Sequence, residues 1–204
     1  SLITGNKATW DGDYVDPAIV GDTGTTEIQG SGGGIYSKGV LTITKSALSN
    51  NSAFTKIGDL EYQKNGNGGA IYASQATTIV DSTIGGSQEP TTDGSSVGTQ
   101  FGNMAINGAG IQMAGGNKLE VLRSTFSFNY GISGGGLNVV SPSASPFTIT
   151  NSTISNNHVT DSGAGLNVNT DITLLNTTVA NNVKDSSTKS SSLNQFSGTA
   201  TLKN

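Results

Sequence analysis

Apolar residues recur along this chain in short alternating runs, and each run is followed by the same small-residue punctuation. Five stretches open alike: Gly32-Gly33-Gly34-Ile35-Tyr36, Gly68-Gly69-Ala70-Ile71-Tyr72, Gly108-Ala109-Gly110-Ile111-Gln112, Gly134-Gly135-Gly136-Leu137-Asn138 and Gly163-Ala164-Gly165-Leu166-Asn167. A degenerate sixth is Ser190-Ser191-Ser192-Leu193-Asn194. Each opening leads to a second apolar run centred on Ile43, Ile79, Val121, Ile149, Leu174 or Leu202. Three residues later comes a hydroxyl (Ser46, Ser82, Ser124, Ser152, Thr177), and two further on another apolar residue (Leu48, Ile84, Phe126, Ile154, Val179). Asn usually closes the copy, as Asn51, Asn129, Asn157 and Asn182.

Alternation with period two over three to five residues is the signature of a half-buried strand. No stretch shows a 3.6-residue apolar stripe over a helix length. A copy of roughly 26 to 30 residues with three short strands cannot bury its own apolar face, so like residues must stack over like in a solenoid. The pattern predicts one all-β domain over residues 1–204, a single-stranded, right-handed parallel β-helix of about six coils of three short strands. Gly and Asn fall at its corners, where the backbone takes positive φ or passes close to a neighbour. The links between copies vary in length, and three long loops, 7–31, 52–67 and 87–107, are expected on one edge.

The two ends of the chain read as halves of one coil. The sixth copy breaks off at Thr201-Leu202-Lys203-Asn204, and Ser1-Leu2-Ile3-Thr4-Gly5-Asn6 aligns with Ser152 to Asn157, with Ser1 in the hydroxyl column and Ile3 in the apolar column. This predicts an assembly interface formed by Ser1, Leu2, Ile3, Thr4, Thr201, Leu202, Lys203 and Asn204. Through it, copies stack head to tail, or tandem units follow one another in a longer chain.

Composition narrows the function. Gly is 29 of 204 residues, charged residues are 12%, and the net charge is −4. That balance disfavours nucleic acid and anionic membranes as partners, and no apolar run reaches membrane-span length. Cys is absent, which excludes disulfides and thiolate metal sites. A start without Met or a signal-like stretch is expected for a processed or excised segment.

Candidate chemistry is sparse. Asp11, Asp13 and Asp16 offer hard oxygen ligands at a spacing suited to Ca²⁺, the one metal cofactor the chain suggests; the remainder of an EF-hand loop is missing. Trp10 and Tyr14 beside them form a candidate ligand spot for sugar or protein. A polysaccharide-active enzyme needs carboxylates converging on one exposed groove, whereas Asp81, Glu120 and Asp171 fall at unmatched positions in their copies. Asp81 sits between Lys45 and Arg123 in the stacked register, which predicts an ion-pair ladder continued by Asn151, Asn176 and Asn204. The single His, His158, has no carboxylate at a telling spacing. A recurring Thr column (Thr42, Thr78, Thr148, Thr173, Thr201) fits β-propensity better than an ice-binding face, since Glu120 interrupts it. The Gly triplets lack the Lys-Ser/Thr of a phosphate loop.

Gly-Gly-Ala-Ile at Gly68–Ile71 and Phe126-Ser127-Phe128-Asn129 resemble the paired signatures of chlamydial polymorphic outer-membrane-protein repeats. Thr148-Ile149-Thr150-Asn151-Ser152-Thr153-Ile154-Ser155-Asn156-Asn157 resembles right-handed β-helix repeats of large bacterial surface proteins. The resemblance implies an extracellular or cell-surface location and a role in adhesion, self-association or passive structure, without catalytic residues. The expected function is a non-catalytic repeat of an extracellular filament or large surface adhesin. The alternatives are a polysaccharide-active β-helix enzyme fragment and a monomeric glycan- or protein-binding module.

Overall fold

A computed structural model describes residues 1–6, 31–53, 56–57, 61–62, 66–91, 98–115, 118–140, 147–185, 192–195 and 198–203. The chain winds through parallel sheets that run along a common axis. Sheet 1 stacks Ile35–Ser37, Ile71–Ala73, Ile111–Met113, Leu137–Val139, Leu166–Val168 and Leu193–Gln195. Sheet 2 stacks Leu41–Thr44, Thr77–Val80, Leu119–Leu122, Phe147–Thr150, Ile172–Leu175 and Ala200–Lys203. Sheet 3 stacks Leu2–Thr4, Ala47–Ser49, Thr83–Gly85, Thr125–Ser127, Thr153–Ser155 and Thr178–Ala180. Among the described residues there is no helix, and the expected parallel β-helix is the architecture found.

A fourth sheet was not anticipated. Met104–Asn107, Tyr130–Ser133, His158–Ser162 and Val183–Lys184 pair in parallel as sheet 4, so three of the links and part of the span 87–107 are themselves strand. Their apolar alternation is short and interrupted by Gly131 and the Asp161-Ser162 pair, which hid it. A short antiparallel pair, Lys56–Ile57 with Glu61–Tyr62, stands apart within the span 52–67.

Strict register puts the apolar residues in columns. Ile43, Ile79, Val121, Ile149, Leu174 and Leu202 are successive partners in sheet 2. Leu48, Ile84, Phe126, Ile154 and Val179 do the same in sheet 3. All of these but Leu202 form, with the inward residues of sheet 1, one continuous core along the axis. Each fully buried Ile or Leu contributes about 1.5–3 kcal/mol, but only while its coil neighbours cover it above and below.

Polar columns hold the coils in register. Asn6, Asn51, Asn103, Asn129, Asn157 and Asn182 form a ladder at the corner between sheets 3 and 4. In each step, the side-chain amide and the backbone N–H of one Asn both donate to the Oδ1 of the Asn one coil on; for Asn129 to Asn157 the distances are 2.9 and 3.1 Å. The same Asn129 amide also donates to the Ile84 carbonyl of the preceding coil at 3.0 Å. Asn51, Asn103, Asn129 and Asn157 are at most 1% exposed, so the ladder supplies partners that water cannot. A serine ladder runs beside it: the N–H groups of Ser46, Ser82 and Ser124 each donate to the next coil's Ser Oγ at 3.1 Å.

A second amide ladder, on the outward face of sheet 1, points the other way. Asn194, Asn167 and Asn138 donate in turn to Asn167, Asn138 and Gln112 at 2.7–2.8 Å. Donors of the corner ladder therefore face the C-terminal end of the solenoid, and those of this outer ladder face the N-terminal end.

Corners carry the expected conformations. Among the described residues, nine non-Gly residues have positive φ; five are Asn, the residue that adopts this region at least cost after Gly, and the others, Lys45, Asp81, Arg123 and Phe128, depart from the expected Gly and Asn. The second coil's ladder Asn is Asn103, displaced by an insertion ahead of it. A shared spacing marks it in the sequence: Asn103 precedes Gly108 by the same five residues that separate Asn129 from Gly134.

Replacing Asn129 by Ala removes an acceptor for two groups on Asn103 and a donor to Ile84 and Asn157. Each buried group left without a partner costs about 1–3 kcal/mol. Asn129→Ala is expected to lower unfolding free energy by about 3 kcal/mol or more in urea denaturation, whereas Asn151→Ala, at an exposed corner, costs less.

Candidate functional site

Asp81, Glu120 and Asp171 do not converge. Asp81 makes a bidentate pair with Arg123, whose Nε and second guanidinium nitrogen donate to the two carboxylate oxygens at 2.6 and 3.0 Å. That hydrogen bond, with the nearby Arg123 and Lys45 charges, holds the Asp81 carboxyl below its ordinary range. Glu120 pairs with Lys118 at 2.7 Å. Asp171 accepts from the Thr199 N–H at 2.7 Å. Three acids engaged with three separate partners on three coils do not form an acid/base pair. The ion ladder is realised at Asp81–Arg123 and its amide continuation at Asn176 to Asn151, 3.2 Å; Lys45 contributes only longer-range attraction.

His158 is the residue whose surroundings sequence reasoning missed. Its Nδ1 lies 2.6 Å from Glu89 Oε1 and its Nε2 2.5 Å from Asp185 Oδ1, with the Tyr130 ring edge-on at 5.1 Å. Glu89 is 69 residues away in sequence and arrives on the insertion of the second coil. No local spacing predicts it. A general acid or base needs one ring nitrogen turned toward a substrate, and here both face carboxylates. The arrangement is a clasp joining the insertion to the fourth and fifth coils. A cavity of about 350 Å³ opens beside it, bordered by Phe128, whose φ of 57° is strained for a bulky side chain.

Asp11, Asp13 and Asp16, the candidate Ca²⁺ ligands, and Trp10 and Tyr14, the candidate ligand spot, lie outside the described residues, as does Asn204. Among the described residues, no group of three or more His, Asp or Glu is placed to hold a metal ion.

The predicted interface residues lie at the two ends of the solenoid. Leu2–Thr4 is the first strand of sheet 3, paired with Ala47–Ser49 in the register Leu2↔Ala47, Ile3↔Leu48, Thr4↔Ser49. Ser1 falls into the serine column: the Ala47 N–H donates to its carbonyl at 2.8 Å, as the Thr83 N–H does to Ser46. Ala200–Lys203 is the last strand of sheet 2, paired with Ile172–Leu175. Its central residue, Leu202, is 68% exposed, while its column mates Ile149 and Leu174 are 0% and 4% exposed. Sheet 3 starts one coil before sheets 1 and 2 and stops one coil before them.

Substituting Asn for Asp81 keeps a residue tolerant of positive φ and deletes only the charge pair. Because the folded-state carboxyl titrates low, its contribution is present above the ordinary value near 3.8 and is lost as pH falls through the lowered one. Asp81→Asn is expected to melt slightly below the unmodified protein at neutral pH. That gap closes in acid, as read by thermal melts across pH.

Comparison with known proteins bears on the repeat. Residues 45–74 match the model of the Chlamydia polymorphic membrane protein repeat. No curated protein and no solved structure matches the chain. The matched segment contains Gly68–Ile71, and the geometry explains the motif. Gly68 has φ +70°, and a Cβ there would lie 2.3 Å from the Ile71 carbonyl oxygen. A Cβ on Gly69 would lie 2.4 Å from the Ala109 oxygen of the next coil. Ala70 and Ile71 are wholly buried. The other half of the motif falls in this segment as Leu48-Ser49-Asn50-Asn51, ending on the ladder residue Asn51, whose amide carbon lies 3.1 Å from a Cβ placed on Gly34. The chain is a parallel β-helix whose residues 45–74 are similar to the Chlamydia polymorphic membrane protein repeat.

Proposed function

We propose that this chain is a non-catalytic structural segment of a bacterial cell-surface protein, a filament or large adhesin, and that each end is completed by a further coil of the same kind. The observation that carries the reading is register: Ile3 continues the Leu48 column of sheet 3 and Leu202 the Leu174 column of sheet 2 without a shift. Parallel strands with an apolar column end leave unpaired N–H and C=O groups and uncovered core, which favours addition of another strand. A copy shifted along the axis by six coils places Leu41–Thr44 against Ala200–Lys203 and Leu2–Thr4 against Thr178–Ala180. Ile43 then covers Leu202, and Ile3 covers Val179. The contact is heterologous, so it propagates rather than closing. The added coil comes from a separate copy or from an adjoining unit of one longer chain. The repeat type of residues 45–74 supports the surface location.

At high concentration the 204-residue chain is expected to form filaments in electron microscopy with an axial repeat near six strand spacings, roughly 29 Å. Leu202→Asp introduces an unpaired charge into that junction and is expected to leave monomers with an unchanged circular dichroism spectrum. A chain that stays monodisperse at high concentration, or filaments indifferent to Leu202→Asp, overturns the reading.

A further inference from the structure

The outward face of sheet 1 meets sheet 4 at an angle and leaves a groove of about 430 Å³ between them. Its floor is the outer amide ladder. Gln112, Asn138 and Asn167 border the groove and are 3–5% exposed. Asn138 donates one N–H to Gln112 and accepts one from Asn167, and Asn167 stands likewise between Asn138 and Asn194. A primary amide has two N–H donors and two acceptor lone pairs. Each of these residues therefore keeps one donor and one acceptor unused, at nine-tenths burial or more, with its orientation locked by the ladder. One wall is sheet 4, where the Ser162 hydroxyl lies 3.3 Å from Asp161 Oδ2. The end of the groove is closed by Tyr72, stacked on Tyr36 at a centroid distance of 5.0 Å and an interplanar angle of 12°.

We propose that this groove is a binding site for a neutral, linear oligosaccharide, with Tyr72 as its stacking platform and the Gln112, Asn138 and Asn167 amides as its hydrogen-bonding floor. A pyranose presents a C–H face that packs on an aromatic ring and vicinal hydroxyls that each donate and accept. The site offers the same pairing: an aromatic wall beside amides with one donor and one acceptor to spare. Amides of this ladder recur once per coil, about 4.8 Å apart, close to the advance of one sugar in an extended chain. Charge separates this ligand from others. Among the described residues, Asp161 is the one charged residue that lines the groove, and it lies 3.9 Å from Lys184, so no unpaired cation among them attracts a sulfated or phosphorylated polymer. A peptide adding as a strand needs an open sheet edge, and the groove presents side chains.

The intact chain should be titrated by calorimetry with neutral cello-, chito- and galacto-oligosaccharides of four to six sugars, and with a sulfated galacto-oligosaccharide of the same length. At least one neutral series is expected to bind, with affinity insensitive to salt. Tyr72→Ala should weaken it tenfold or more, Tyr72→Phe should retain it, and Thr173→Ala, on the outward face of sheet 2, should leave it unchanged. Asp161→Asn, a substitution at an exposed position that the fold tolerates, should weaken binding several-fold without lowering the melting temperature. The Leu202→Asp monomer should bind equally well, so the result stands apart from the stacking reading. Absence of binding at millimolar sugar, preference for the sulfated ligand, or unaltered binding in Tyr72→Ala overturns the proposal.

Discussion

Everything in this structure depends on stacking at constant height. Parallel strands bond only if each coil rises by one strand spacing, and the corner Asn ladder enforces that rise at the place where the chain turns. Its amides do two jobs at once: they satisfy a buried carbonyl of the preceding coil and hold the next coil's Asn in position. The apolar columns supply most of the stabilisation, but they are forgiving about alignment. A hydrogen bond of about 3 Å is not. The corner therefore sets the register, and the core follows it.

This division explains why insertions are tolerated where they occur. The columns run undisturbed past the two long insertions of the sequence, one after Ala53 and one before Asn103. Asn51, Asn103 and Asn129 are bonded in sequence across both excursions. Where the second coil's insertion sets out, it is tied down by the Glu89–His158–Asp185 clasp, a tertiary contact that owes nothing to the repeat.

Columns were the legible part of the sequence. The Ile and Leu positions, the serine column, the positive-φ corners and the place of Ser1 all follow from aligning copies, because a solenoid repeats its environment every coil. What could not be read is what does not repeat. The His158 clasp joins residues 69 and 27 apart. Asn103 was hidden by the insertion before it. Sheet 4 escaped notice because Gly131 and Asp161-Ser162 break its alternation. The burial of Gln112, Asn138 and Asn167 was equally hidden: they alternate as outward residues, yet they stack on one another at the floor of the groove beside sheet 4.

The opposed polarity of the two amide ladders has a consequence for length. In an α-helix every peptide dipole adds, and charge builds at the ends. Here one file of side-chain dipoles runs up the axis and, from Gln112 onward, another runs down it, so each added coil that carries both adds opposed contributions. A rod of this kind grows without accumulating an axial field from its ladders.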